Sequence, residues 1–88
     1  MKITTKSGFK CEIRDEITND WRLLRAIGKC QNDATALEGG QELELALLGV
    51  DGAKALEDHI EKKEGFVSVQ SLFAEITEIL NKVDSSKN

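Results

Sequence analysis

From Ile17 onward the apolar positions of this chain recur every three or four residues, whereas before it they alternate with polar ones. The pattern predicts helices preceded by a short hairpin. Phe9, Cys11 and Ile13 alternate with Lys10 and Glu12, Ile3 to Thr5 form a second β-prone run, and Lys6, Ser7 and Gly8 supply the turn between them. The hairpin is therefore expected over about residues 2–13. A two-stranded ribbon is marginal alone, so its Phe9, Cys11 and Ile13 face needs helices to lie on.

The first helix is expected from about Ile17, with Ile17, Trp21, Leu24, Ile27 and Gly28 on its stripe and Leu23, Ala26 and Cys30 widening it. Thr18 or Asn19 can cap it, Asp20 suits its positive end, and the polar segment from Lys29 to Asp33 closes it. Trp21 is expected to anchor the core, since no second aromatic accompanies it to make a stacking platform. Asp33 can cap a further helix through Ala34, Ala36 and Leu37. Gly39 and Gly40 predict a break or kink there, because together they cost roughly 2 kcal/mol against alanine in a helix interior. Leu43, Ala46, Leu47 and Val50 then share one face, while Leu45 and Leu48 point away from it. A helix apolar on two sides is either sandwiched inside a bundle or presents leucines to a partner. The scarcity of aromatics favours burial.

Residues 51–83 read as a helical hairpin. Asp51 is a natural N-cap, Ala53, Leu56 and Ile60 make the inward stripe, Lys62 and Lys63 suit the C-terminal dipole, and Gly65 stands where a helix ends left-handed. Ser68 caps the last helix, with Val67 and Leu72 at the positions of a hydrophobic staple. Phe66 and Val67 can extend as a short strand. Val69, Leu72, Phe73, Ile76, Ile79, Leu80 and Val83 face inward, and Gln70, Glu75, Glu78, Asn81 and Lys82 face outward. Residues 84–88 form a polar tail expected to be mobile. The expected fold is thus mainly α: one domain over 1–83, a small bundle of about four helices with an N-terminal β-hairpin.

Composition adjusts this picture only at its edges. With 88 residues, 40% hydrophobic and 32% charged, the chain has an ordinary globular balance. A net charge of -4 opposes binding to a phosphate backbone, so no nucleic-acid partner is expected. No stretch has the length and apolarity of a signal peptide or a membrane span, which points to a cytoplasmic protein without a membrane partner. Cys11 and Cys30 lack metal-ligand or redox spacing and read as reduced, half-buried thiols.

Candidate chemistry is sparse. His59, the sole histidine, lies beside Asp58 and close to the inward face of Ile60, and reads as an edge-packed or solvated side chain rather than a base or ligand. The residues 49–52 are too short for a phosphate loop, and the acidic positions from 51 to 64 lack the spacing of a calcium loop. No catalytic, cofactor-binding or metal-binding residue is singled out, and no enzymatic activity is expected.

AsnAspTrpArgLeuLeu at 19–24, LeuLeuGly at 47–49, AlaLeuGluAspHisIle at 55–60, GluGlyPheValSerVal at 64–69 and GluIleThrGluIleLeu at 75–80 give the chain a likeness to one family. From about Lys2 to Leu80 it resembles the small tail assembly chaperones of long-tailed bacteriophages and prophages of Gram-positive hosts. The resemblance implies a non-enzymatic protein that binds the tape measure protein, a long helical rod, and helps tail tube subunits assemble around it in the host cytoplasm. It further implies departure before the virion is finished, possible self-association, and a longer form made by ribosomal frameshifting. Helix-in-groove binding would use the off-face leucines Leu45 and Leu48, with Phe66 in the apolar turn as a further candidate contact. The other reading left open is a small phage or prophage helical module that binds DNA or regulates transcription.

Overall fold

The computed structural model describes residues 1–85. Strands β1 (Lys2–Thr4) and β2 (Lys10–Glu12) pair antiparallel with Ile3 opposite Cys11. Gly8 takes φ 91° in the turn, where its N–H reaches the Thr5 carbonyl at 2.9 Å. That left-handed backbone favours glycine. Ile3, Phe9 and Ile13 are buried and Cys11 is half-buried, so the alternation assigned the inner face correctly.

A three-ten turn, Ile17–Asn19, separates Ile17 from helix α1 (Trp21–Cys30). Neither Thr18 nor Asn19 caps α1. Asp20 does, accepting the Arg22 N–H at 2.8 Å while its other oxygen accepts from Arg14 at 2.6 Å. That double hold keeps the Asp20 carboxyl below its ordinary range. The extra turn also resets the helical phase. Leu23 and Ala26 face the core, whereas Leu24 is exposed and Trp21 is 72% exposed, so the expected tryptophan anchor is not one. Ile13 and Ile17 already fill the adjoining interior.

Two further helical runs follow, α2 (Ala36–Glu64) and α3 (Val69–Ser85), making three runs rather than four. The helix does not break at Gly39 and Gly40, which are both buried within α2. A Cβ on Gly39 would lie 2.7 Å from the Lys29 Cβ and the Cys30 backbone nitrogen, and one on Gly40 would run into the Phe73 ring. These glycines are spacers that let α1 and α3 approach the α2 backbone. The break falls at Gly49, with φ 74° and ψ 176°. Val50 accordingly leaves the face of Leu43 and Leu47 and is 76% exposed, contrary to its expected place. Nor does Asp33 cap this run: Thr35 stands at the N-cap position, its hydroxyl donating instead to the Lys29 carbonyl at 2.8 Å.

The second arm of α2 buries Ala53, Leu56 and Ile60 as the spacing predicts, and it ends at Gly65 with φ 87°. Ser68 then accepts the Ser71 N–H at 3.2 Å. Phe66 and Val67 form no strand. In α3, Ile76, Ile79 and Val83 reach the common core with Leu72 and Leu80 packed at its margin. Two positions depart from the expected stripe: Val69 is exposed and Glu75 is buried. Asp84 and Ser85 continue α3; the rest of the expected mobile tail lies outside the described residues. Both cysteines are free and half-buried, and burial raises both thiols. No helix among the described residues is long and apolar enough to cross a membrane.

Candidate functional site

Glu75 gathers the hairpin turn onto the helices. Its Oε1 accepts the Thr5 hydroxyl at 2.8 Å and the Ser7 hydroxyl at 3.0 Å, and Ser7 Oγ lies 3.0 Å from His59 Nε2. Ser7 has one hydroxyl proton, and it points to Glu75. With that proton on Glu75, Ser7 Oγ can only accept from the imidazole, in the tautomer that carries the proton on Nε2, the reverse of the direction that would activate a serine nucleophile. Around this point the Lys6 N–H donates to Glu78 at 2.8 Å, Lys63 Nζ to the Ser7 carbonyl at 2.5 Å, and Lys82 Nζ to the Thr4 carbonyl at 2.6 Å. The arrangement is a clamp. His59 packs at an edge against Phe9, ring centroids 5.6 Å apart, in keeping with its reading as an edge-packed residue. Glu75's charge adds to burial in holding the Cys11 thiol high. No group of three or more His, Cys, Asp or Glu side chains among the described residues is arranged to hold a metal ion.

Between α1 and α2 runs an ion ladder. Arg25 Nε is 3.5 Å from Glu42, and Lys29 Nζ meets both Glu38, at 3.0 Å, and Glu42. The hydrogen bond from Lys29 holds the Glu42 carboxyl down, and Glu42 in turn raises Lys29. Two basic residues of α1 are thereby neutralised by α2. Beside the ladder runs a groove where Leu45 and Ala46 meet Arg22, and it continues to Leu48 and Gly49 with Arg14 and Asp20 on its rim. Leu45 is 50% exposed and Leu48 half-buried, so the structure brings the two off-face leucines to one surface.

Phe66, 62% exposed, belongs to the turn that leads into α3. A second apolar surface was not legible as a unit. Leu37, from the start of α2, and Val69, from the start of α3, line an apolar cleft of about 100 Å³ floored by Leu72 and Phe73. Both rim residues are exposed. The spacing places Val69 on the inward stripe, but the first turn of α3 overhangs the core. The one sequence signal for the cleft is Gly40, which admits Phe73 to the helix backbone.

No protein-family model matches this chain, and no curated protein or solved structure matches it at a significant level.

Proposed function

We propose that this protein is a non-enzymatic tail assembly chaperone of a long-tailed phage or prophage, which holds an apolar helical segment of the tape measure protein while the tail tube is built. The observation that supports this reading is apolar exposure on a small acidic domain. Leu37 and Val69 line one cleft and Leu45 another, with Phe66 exposed in the turn before α3, and apolar side chains gathered at clefts mark a contact surface. An amphipathic helix laid in either groove would bury its own apolar face against these side chains, while the acidic remainder of the domain keeps the pair dispersed. Such a protein acts in the host cytoplasm, leaves before the virion is complete, and has the tape measure protein, the tube subunit and further copies of itself as its partners.

Affinity capture from the cells that express the chain, with every retained protein identified by mass spectrometry, tests the reading. A very long helical rod protein should be recovered. Leu45→Asp should lower its capture tenfold or more while shifting stability by less than about 0.5 kcal/mol, as for an exposed position. Capture unchanged by Leu45→Asp, or recovery of DNA in place of a rod protein, would overturn it and favour the regulatory module.

A further inference from the structure

Glu44 is the odd group of the interior. Its side chain is 6% exposed, and its Oε2 is buried without a hydrogen-bond partner. The group that meets it is the Glu57 carboxyl, on the far arm of α2. In an unbroken helix the rise from residue 44 to residue 57 would be about 20 Å, far beyond contact. They meet only because the backbone turns at Gly49, where φ is 74° and ψ 176°. The carboxyl pair is therefore the polar contact between the two arms beside their hinge.

Charges from the neighbouring elements are engaged elsewhere. On α1, Arg25 and Lys29 are directed to Glu38 and Glu42. On α3, Glu75 and Glu78 are taken by Thr5, Ser7 and the Lys6 N–H, and His59 on α2's own second arm is bonded to Ser7. Lys10 and Glu12 of β2 are exposed. Glu57, half-buried, is left as the charge facing the buried Glu44, and a carboxyl buried beside another is best satisfied with a proton shared between them.

We propose that Glu44 and Glu57 form a proton-bound latch that keeps the two arms of α2 folded against each other at the Gly49 hinge, so that losing the proton releases them. This inference is independent of the assembly-chaperone reading. Burial first, and then hydrogen bonding to Glu57 and its charge, push the Glu44 carboxyl from 4.5 up to about 7. A raised carboxyl favours the folded state when protonated. The latch is complete below about 4.5 and is lost as pH rises through about 7. Release would loosen the contacts of Leu43 and Leu47 on one arm and of Leu56 and Ile60 on the other.

Amide hydrogen exchange of the full chain from pH 5.5 to 8.5, corrected for the intrinsic pH dependence of exchange, tests the latch. Protection over residues 43–60 should fall tenfold or more between pH 6 and 8, while the hairpin and residues 76–83 keep theirs, since each pH unit across the titration changes the opening constant by up to about tenfold. Glu44→Gln keeps a donor toward Glu57 without titrating, so it should hold protection constant across the range. Protection independent of pH in the native chain, an equal loss in every element, or the same pH dependence in Glu44→Gln would each overturn the latch. Carbon-13 titration of the Glu44 carboxyl in the unmutated chain needs no variant to fold: a midpoint near 7 supports the proposal, and one near 4.5 overturns it.

Discussion

The domain buries two glutamates and treats them oppositely. Glu75, on α3, lies at the hairpin turn with two hydroxyl donors on one oxygen, whereas Glu44, on α2, lies at the helix hinge with one oxygen orphaned and a second carboxyl as its neighbour. Burial is similar; satisfaction is not. A buried carboxylate that collects donors ties distant segments together, here residues of sequence separation 68 and 70. A buried carboxyl without donors raises its own proton affinity, and its contribution then depends on the solution around it.

The largest effect should come from breaking the satisfied site. Glu75→Ala is expected to cost about 3 kcal/mol in chemical denaturation, because it removes a charged acceptor and strands two hydroxyls near the core. The same kind of change at the other site should run the opposite way. Glu44→Leu is expected to stabilise the chain by about 1 to 2 kcal/mol at pH 8, since replacing an unpaired buried charge by an apolar side chain of similar volume removes a desolvation cost; at pH 4 the gain should shrink toward zero. The sign follows from the raised carboxyl, which is neutral at the lower pH and charged at the higher. A loss of stability at pH 8 would dissolve the contrast between the two sites. The smallest change sharpens it. Thr5→Val takes one of the two donors from Glu75 and keeps the shape of a buried side chain, so thermal unfolding should report a loss of about 1 kcal/mol.

Local pattern carried much of the fold because local physics decides it. The hairpin alternation, the inward stripe of Ala53, Leu56 and Ile60, the left-handed Gly65 and the Ser68 cap each depend on residues within a turn or two of one another. Errors arose where phase or a neighbour intervened. Trp21 and Leu24 share a helical face with Ile17 in sequence, yet a three-ten turn removes Ile17 from that helix and rotates the stripe. Gly39 and Gly40 look like a break until α1 and Phe73 occupy the space a side chain would need. Of the candidate contacts, Leu45 and Leu48 were legible as off-face leucines and do share a groove. The cleft edged by Leu37 and Val69 was not, because its walls come from the starts of two helices far apart in sequence.

The sequence by itself determined the N-terminal hairpin, the helical character of the rest, the turn from Gly65 to Ser68 and most of the apolar core, since periodicity and glycine stereochemistry act over a few residues. Only the tertiary structure decided that Glu75 is a clamp and that Glu44 faces Glu57. Those outcomes depend on which distant surfaces meet and on whether a buried polar atom finds a donor there, and no local spacing encodes either.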